Sequence, residues 1–343
     1  MYTGHMLEVN WNVNTGWEKP RIVPLHMLSI HPGSKVLNYA AECFEGMKAH
    51  RCEDGTIRLF RPQLNLERLN ASASRSCLPT FDCAELLKCI EELIRIDREH
   101  VPDVDQGSLY IRPVIIGTEG CLGVRHSDSA LLYVIAGRCS NFFKSGFEAV
   151  SLMADPQLVR CAAGGTGAYK MGANYASTMQ TGKEAEREGC QQALWLYGPD
   201  QRITEAGSMN IFLFWLNEAN ERELVTPPTG DGTILPGIIR QSVLELTREW
   251  NEFVVSERII RMADVRRAIA ENRLYAMFCT STAMVVVPVE RIVYRPPDGG
   301  PKEIVNMPTM QGDNGLIVRR IHQAITEIQF GRVEKQGWTK IVC

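Results

Sequence analysis

The chain has 343 residues, enough for two domains with sizeable cores, and its net charge of -3 offers no basic surface for a nucleic acid backbone. Hydrophobic residues make up 45% and charged residues 22% of the chain, as in ordinary globular proteins, and its apolar runs are too short to span a bilayer. The 11 cysteines are scattered, so we expect buried, reduced thiols, and the 7 histidines lack metal-ligand spacing, so we expect no metal site. From the charge and the apolar runs we expect no nucleic acid partner and no membrane partner.

Short strands alternate with amphipathic helices along the whole chain, which predicts an α/β or α+β enzyme. In the first half, strands are predicted at 56–60, 108–116 and 130–136, and helices at 62–76 and after the capping-box pattern of Asp82 and Glu85. Residues 137–146 lack periodicity and have turn residues at both ends, so we predict an interdomain linker there. In the second half, strands are predicted at 193–197, 210–215, 224–226, 274–279 and 284–289, and helices near 175–188, 238–250, 263–270 and 315–329.

The most informative segment surrounds Lys170, which stands among small residues in Gly164-Gly165-Thr166-Gly167-Ala168-Tyr169-Lys170-Met171-Gly172-Ala173-Asn174-Tyr175. A lysine that forms an imine must be neutral part of the time, and small neighbours let a planar cofactor lie close to the backbone. A glycine-rich surface turn with a solvated lysine explains the same residues. On this segment alone, both interpretations stay open.

Two segments have the character of anion-binding sites. Pro236-Gly237 leads straight into an amphipathic helix, whose first N–H groups and dipole favour phosphate. Thr280-Ser281-Thr282-Ala283 ends a strand and offers hydroxyls and N–H groups for a phosphate or a carboxylate. A plain strand-to-helix connection and ordinary turn chemistry are the alternatives.

Two further segments carry charge in positions that suit a cofactor or a substrate. Glu205 is expected in a turn between two strands, where its carboxylate can pair with a pyridinium nitrogen or simply be solvated. Tyr110 and Arg112 share one side of a predicted strand, which suits a carboxylate ligand or an ordinary structural ion pair. Each feature alone is ambiguous, but together they make a complete pyridoxal-phosphate site.

Specific motifs run along almost the whole chain. They are Pro32-Gly33-Ser34, Phe44-Glu45-Gly46-Met47-Lys48-Ala49, Arg58-Leu59-Phe60-Arg61-Pro62, Leu109-Tyr110-Ile111-Arg112-Pro113, Tyr169-Lys170-Met171-Gly172-Ala173-Asn174-Tyr175, Leu194-Trp195-Leu196-Tyr197-Gly198, Glu205-Ala206-Gly207-Ser208-Met209-Asn210 and Ile234-Leu235-Pro236-Gly237. This combination resembles the branched-chain amino acid aminotransferases, which belong to fold type IV of the pyridoxal-phosphate enzymes. The chain is most similar to the eukaryotic members.

The resemblance implies roles for the matching positions around pyridoxal 5'-phosphate. Lys170 is the implied Schiff-base lysine and proton shuttle, and therefore the catalytic residue. Tyr175 is implied to hydrogen-bond the phenolic oxygen of the cofactor, and Glu205 to pair with its pyridine nitrogen. The implied phosphate ligands are Arg68, the backbone N–H groups of Ile238 and Ile239, and Thr282.

The resemblance also implies the substrate-binding residues. The residues implied to line the side-chain pocket are Tyr39, Phe44, Tyr110 and, in the linker, Phe142. Arg112 is implied to meet the distal carboxylate of glutamate, and the turn at Thr282 and Ala283 to hold the α-carboxylate.

The fold and assembly of the family are implied as well. The family has a smaller N-terminal α/β domain, here residues 1–137, and an interdomain loop, here 138–149, that closes over the site. A larger C-terminal domain with a β-barrel-like core would occupy 150–343. Members are usually homodimers, in which a loop of one subunit helps to close the pocket of the other.

Several positions depart from the family pattern. Mammalian members carry a CxxC redox pair where this chain has Met284 and Val287, so thiol-based redox switching is not expected. Ser281 stands where glycine is common, and we expect it to tighten the carboxylate-binding turn. Arg138 replaces a usual proline and Phe142 a usual tyrosine, which affects closure of the pocket rather than the reaction type.

The implied activity is a reversible ping-pong transfer of the amino group of L-leucine, L-isoleucine or L-valine to 2-oxoglutarate, giving the branched 2-oxo acid and L-glutamate. One methylene changes discrimination by only ~1–3 kcal/mol, so overlapping use of the three substrates is expected. Two alternatives remain: another fold-type IV enzyme, such as a D-amino-acid transaminase or aminodeoxychorismate lyase, and a non-catalytic binding or scaffold protein. The N-terminal residues show no secretory or transit pattern, so a cytoplasmic location is expected, with the mitochondrion as the alternative for a trimmed chain.

Overall fold

A computed structural model describes residues 2–104, 106–140, 148–309 and 313–343 of the chain. It contains two compact units, and neither is one continuous stretch of sequence. Unit 1 comprises Met1–Phe142, Tyr169–Ala173 and Glu327–Cys343, and unit 2 comprises Phe143–Ala168 and Asn174–Thr326. The domain limits expected above stay a prediction, and most of the proposed loop at 138–149 lies outside the described residues.

Unit 1 is built on a nine-stranded sheet. Its strands are β1 (His5–Asn12), β2 (Gly16–Trp17), β3 (Arg21–Pro24), β4 (Glu42–Phe44), β5 (Met47–Arg51), β6 (Ile57–Phe60), β7 (Gly107–Gly117), β8 (Ser129–Ser140) and β18 (Thr339–Ile341). The strand order is β18-β6-β5-β7-β8-β1-β2, with β3 paired to β1 and β4 paired to β7. Every described pairing in this sheet is antiparallel.

Helices α2 (Pro62–Arg75) and α3 (Cys83–Ile96) cover one face of this sheet. Helix α1 (Lys35–Tyr39) lies on the other face, where its Val36 packs with Val114 and Ile116 of β7. Pro62 begins α2, and Leu66 and Leu69 on its inner side are fully buried in the core of the unit. Asp82 caps α3 as predicted, because its carboxylate accepts from the N–H groups of Ala84 and Glu85 at 2.8 and 3.0 Å.

Unit 2 carries the second nine-stranded sheet. Its strands are β9 (Val150–Ala154), β10 (Gln192–Tyr197), β11 (Arg202–Ala206), β12 (Asn210–Leu216), β13 (Arg222–Thr226), β14 (Val254–Glu257), β15 (Leu274–Ser281), β16 (Val285–Tyr294) and β17 (Glu303–Asn306). The order is β11-β10-β9-β16-β15-β12-β13-β14, with β17 paired to β16. A tight turn bridged by Ala206 and Met209 joins β11 to β12. The path therefore curls back on itself, which confirms the expected mixed α/β fold with a barrel-like core.

One predicted helix is broken in the structure. The remaining helices are α4 (Ala173–Ala176), α5 (Met179–Arg187), α6 (Ile238–Trp250), α7 (Met262–Ala270) and α8 (Asp313–Gln329). A single helix over 175–188 is therefore wrong. The N–H and the hydroxyl of Thr178 both donate to the Tyr175 carbonyl, at 3.1 and 2.8 Å, and this local turn interrupts the helical hydrogen-bond pattern.

The predicted linker at 137–146 is wrong for its first four residues, which belong to β8. Gly137 to Ser140 pair with Tyr110 to Gly107 of β7, so their extended conformation comes from a distant strand and not from local turn preference. Residues 141–147, which include Phe142, lie outside the described part of the chain.

The described residues contain no helix that is both long and apolar enough to cross a membrane. In the same part of the chain, no three His, Cys, Asp or Glu side chains are grouped so that they could hold a metal ion. All 11 cysteines are free. The expectation of buried thiols holds for Cys279 but not throughout, because Cys89 is half-buried and Cys77 and Cys343 are exposed.

Candidate active site

Lys170 is held by its own backbone within unit 1. Its N–H donates to the Ser72 hydroxyl at 2.9 Å, and its carbonyl accepts from the Phe44 N–H at 3.0 Å. Its ammonium nitrogen lies 4.6 Å from the centroid of the Phe44 ring, and the side chain is half-buried. A solvated lysine on a loose surface turn does not describe this arrangement.

An arginine lies close to the rings of the same phenylalanine and of a tyrosine. Arg112 Nη2 donates to the Tyr110 hydroxyl at 3.2 Å, so the two side chains share one side of β7 as predicted. The guanidinium carbon lies 4.8 Å from the Phe44 ring and 5.2 Å from the Tyr110 ring. Arg112 Nε is buried and has no acceptor among the described residues. A Cβ on Gly46 would lie 1.9 Å from the Tyr110 hydroxyl, so glycine at that position makes room for this wall.

Arg68 is oriented by Glu45, a residue whose role the sequence did not reveal. Glu45 is fully buried, and its two oxygens accept from Arg68 Nε at 2.6 Å and Nη2 at 3.0 Å. Asn65 donates to the same carboxylate at 2.8 Å. Burial alone would raise the pKa of Glu45, but Arg68, with help from Lys170 and Asn65, holds that pKa below its usual value. Glu45 is therefore an anion that holds the Arg68 guanidinium in one orientation, as an arginine that binds a ligand requires.

Tyr39 lies apart from these contacts, at the C-terminal end of α1. Its ring is partly exposed, and its hydroxyl donates to the Leu122 carbonyl. Phe142, the last member of the expected side-chain pocket, lies outside the described residues.

In unit 2, Glu205 is not in a turn, which corrects the sequence prediction. It lies in β11, and only 2% of it is exposed. One carboxylate oxygen accepts from Asn210 Nδ2 at 3.2 Å and from the Leu235 N–H at 3.0 Å. The other oxygen lies 2.9 Å from Arg160 Nη1. These donors, one of them a guanidinium, offset the cost of burying the carboxylate.

Arg160 is a second residue that sequence reasoning missed. Besides its contact with Glu205, it donates to the Thr233 carbonyl at 3.1 Å and to the Gly167 carbonyl at 3.2 Å. It therefore connects three parts of unit 2, namely the glycine-rich loop, the segment before α6, and β11. No periodicity or turn pattern around Arg160 signals this role, because all but the nearest of its partners are distant in sequence.

The start of α6 has the donors that a phosphate needs. Gly237 is its N-cap, in an extended conformation and without a side-chain capping bond. Ile238 and Ile239 are buried in the first turn of this helix, where backbone N–H groups have no acceptor within the helix. Among the described residues, the buried hydroxyl of Thr280, in the same unit, has no partner. Orphaned donors at a buried helix start favour an anion.

The remaining predicted residues of unit 2 lie in short connecting elements. Tyr175 is half-buried in α4, which Asn174 anchors through hydrogen bonds of 2.7 and 2.8 Å with Thr166. Thr282 and Ala283 form the half-buried turn between β15 and β16. The Ser281 hydroxyl accepts from the Met284 N–H at 3.1 Å, so Ser281 does tie this turn together.

Each unit by itself has groups whose chemistry suits part of pyridoxal phosphate. Unit 1 has a half-buried amine and an oriented arginine, and unit 2 has a buried carboxylate with several donors and the start of a helix. Those are the partners that an aldehyde, a phosphate and a protonated ring nitrogen require.

Comparisons with known proteins agree with this chemistry. The profile of the family described as Amino-transferase class IV matches residues 42–292. The chain is 51% identical over 340 residues to a protein of sheep named cytosolic branched-chain-amino-acid aminotransferase, covering 99% of this chain and 86% of that protein. It is 47% identical over 339 residues to a protein of the same name from Caenorhabditis elegans, covering 99% and 81%.

Solved structures show the same fold. The branched-chain aminotransferase of Thermoproteus uzoniensis, crystallised with norvaline, superposes with a TM-score of 0.76 at 23% identity, covering 99% of this chain and 100% of that one. The Escherichia coli enzyme superposes with a TM-score of 0.71 at 24% identity, covering 99% of both chains. The resemblance drawn from the motifs is confirmed, and the chain belongs to the class IV aminotransferase family.

Proposed function

We propose that the protein is a pyridoxal-phosphate-dependent branched-chain-amino-acid transaminase (EC 2.6.1.42). It moves the amino group of L-leucine, L-isoleucine or L-valine to 2-oxoglutarate in a reversible ping-pong reaction. The observation that carries the proposal is the Lys170 amine, held 4.6 Å over Phe44 next to a tyrosine–arginine pair. About 50% identity to proteins that bear this name supports it over nearly the whole chain.

Bound pyridoxal phosphate supplies an aldehyde that bonds to primary amines and a ring that accepts electrons from the substrate Cα. Lys170 holds the cofactor covalently and, once released, moves a proton to and from the substrate carbon. Glu205 keeps a proton on the ring nitrogen, and Tyr175 binds the phenolic oxygen. The residues that hold the phosphate are Arg68, Ile238, Ile239 and Thr282.

The substrate side chain is held by two kinds of surface. Tyr39, Phe44 and Tyr110 offer apolar contact to a branched side chain. Arg112 offers a cation whose Nε has no acceptor among the described residues, which suits the distal carboxylate of glutamate or 2-oxoglutarate. The turn at Thr282 and Ala283 holds the α-carboxylate that all these substrates share, and Phe142 is proposed as a further pocket residue.

Amino-donor profiling with 2-oxoglutarate as acceptor tests this function. We expect comparable kcat/KM values for L-leucine, L-isoleucine and L-valine, within about two orders of magnitude, because single methylenes discriminate weakly. D-alanine and aminodeoxychorismate should give no more than background rates. A preference for either of these two compounds would show another class IV activity. If no donor were turned over, the alternative of a non-catalytic scaffold protein would be favoured.

We further propose that the chain works as a homodimer. The loop after β7 bears Leu122 and Val124, which are 70% and 86% exposed, and it is hydrogen-bonded to Tyr39 on α1, where Leu37 is 62% exposed. Exposed apolar side chains that lie together mark an association surface. A loop that helps to close the pocket of a second subunit would have this composition.

Val124→Asp is expected to weaken the dimer by roughly 30-fold or more, because it places a charge in a desolvated interface. Sedimentation equilibrium over a range of protein concentrations measures the change. Val13→Asp is the matched control, since Val13 is also more than half exposed but lies in the turn between β1 and β2. Equal dissociation of both variants, or of neither, would contradict the placement of the interface.

The names of the relatives also bear on location. The sheep, rat and mouse proteins at 50–51% identity are named cytosolic, and the rat and bovine proteins at 46–47% are named mitochondrial. This order supports the cytosolic location expected from the sequence.

A further inference from the structure

Glu42 is a carboxylate on the same side of the first sheet as the proposed substrate arginine. β4 pairs antiparallel with β7, with Glu42 opposite Ile116 and Phe44 opposite Val114. Directly paired residues, and residues two apart on one strand, point to the same side of a sheet. Glu42, Phe44 and Arg112 therefore share one side, and all three belong to unit 1.

Glu42 also lies against the segment that carries Lys170. A Cβ added to Gly172 would come within 2.1 Å of Glu42 Oε2, so the carboxylate lies directly against the backbone of this segment. The side chain is half-buried, yet it has no hydrogen-bond donor and no ion-pair partner in the described part of the chain. Glu45, three residues further on, has donors on both oxygens, so Glu42 is the carboxylate of this region without a structural task.

Arg112 has binding capacity that the protein leaves unused. Its Nε is buried without an acceptor in the part of the chain that the structure describes, and its one described hydrogen bond goes to a neutral hydroxyl. The charges of Glu42 and Arg112 act on one another, but no salt bridge joins them. An incoming carboxylate at Arg112 would thus be attracted by the guanidinium and repelled by Glu42.

We propose that Glu42 determines substrate preference by weakening the binding of a second carboxylate at Arg112. Its negative charge raises the Michaelis constants for the dicarboxylate substrates, glutamate and 2-oxoglutarate, and leaves the branched monocarboxylate substrates unaffected. This inference rests on the proposed role of Arg112 as the site for the distal carboxylate.

The inference has a pH signature. Burial raises the pKa of Glu42, although Arg112 opposes the shift. The other titratable groups that feel its charge are Cys43, its neighbour on β4, and Tyr133 on β8. The pKa of each is raised first by burial and then by Glu42. As the pH falls toward the raised pKa, Glu42 becomes neutral, so dicarboxylate affinity should rise with acidification. Tyr133 stays neutral throughout this range because its pKa moves upward from 10.

Binding of two unreactive substrate analogues to the holoenzyme tests the inference. The dissociation constants of glutarate and of 4-methylpentanoate are measured by calorimetry between pH 5.5 and 8.5 in the wild type and in Glu42→Gln. At the upper pH, we expect the variant to bind glutarate roughly fivefold more tightly, the effect of removing one like charge in a partly aqueous site. Binding of 4-methylpentanoate should change less than twofold. The ratio of the two glutarate dissociation constants should fall toward one on acidification, and protonation of glutarate itself cancels in this ratio. The Michaelis constant for the acceptor 2-oxoglutarate should fall in parallel with the glutarate dissociation constant, while the Michaelis constant for L-leucine stays the same.

Two further variants separate the possible failures. If Arg112→Gln does not weaken glutarate binding, the proposed role of Arg112 fails. If Arg112→Gln weakens it while Glu42→Gln leaves it unchanged, the inference about Glu42 alone is overturned. Glu186→Gln makes the same change in net charge at an exposed position of α5 and should leave both dissociation constants unchanged. Should Glu42→Gln prove poorly folded, Glu42→Ala removes the same charge, and unchanged glutarate binding in that variant refutes the proposal.

Discussion

Replacing Lys170 with alanine is expected to lower the turnover of L-leucine with 2-oxoglutarate by about four orders of magnitude or more. In the proposed reaction this amine has two tasks, covalent attachment of the cofactor and proton transfer at the substrate carbon. No other lysine is placed over Phe44 in the described residues, so no neighbour can replace it. Steady-state assays, together with the absorption band of the bound cofactor and its response to L-leucine, measure both tasks.

The loss should be chemical rather than structural. Both described backbone contacts of Lys170, to the Ser72 hydroxyl and from the Phe44 N–H, survive removal of its side chain. The thermal unfolding midpoint of the Lys170→Ala apoenzyme should therefore stay close to that of the wild-type apoenzyme. Lys183→Ala is the matched control, because Lys183 is exposed on α5, and it should retain full activity.

A small amine provides a second test of the same residue. If the space left by the lysine side chain admits ethylamine, part of the turnover of Lys170→Ala should return, in proportion to the amine concentration, because the added base can accept the proton. Appreciable turnover by Lys170→Ala without added amine would refute the assignment of Lys170.

The parts of the site that the sequence could predict are those with a local physical signature. The Pro-Gly turn followed by an apolar period of 3.6 indicated the start of α6 at Ile238, and the structure has the helix there. Alternation along β7 put Tyr110 and Arg112 on one side, and their 3.2 Å hydrogen bond agrees. The capping chemistry of Asp82 predicted the start of α3, and the structure has Asp82 as the N-cap of that helix.

The parts that it could not predict depend on residues distant in the chain. Glu205 stands next to turn-like residues but lies in β11, where Arg160 and Leu235, both at least 30 residues away, donate to its buried carboxylate. The polar stretch from Gly137 to Ser140 becomes strand only because β7 lies beside it. Glu45 and Glu42 are both acidic residues in the same short region, yet one orients an arginine and the other has no donor among the described residues. No period or propensity distinguishes them, since the difference comes from the position of Arg68 on α2.

Glu205→Gln is expected to reduce kcat by about two to three orders of magnitude, within the range for loss of a positioned proton-holding group. An amide is not basic enough to keep a proton on the proposed ring nitrogen. The variant should also lose stability, because three donors converge on the carboxylate from Arg160, Asn210 and Leu235. A glutamine side chain can accept hydrogen bonds through its oxygen only, so its NH₂ group would face a donor. Arg160 would then be buried without its anion. We expect the free energy of unfolding to fall by about 3 kcal/mol.

The double variant Glu205→Gln/Arg160→Gln separates the two consequences of losing Glu205. Removing both charges leaves no unpaired buried ion, although the Thr233 and Gly167 carbonyls lose their donor, so the free energy of unfolding of the apoenzyme should recover part of what Glu205→Gln loses. Activity should not recover, because the carboxylate is still absent. If activity returned together with stability, Glu205 would act only as the structural partner of Arg160, and the proton on the ring nitrogen would have to be held by another group.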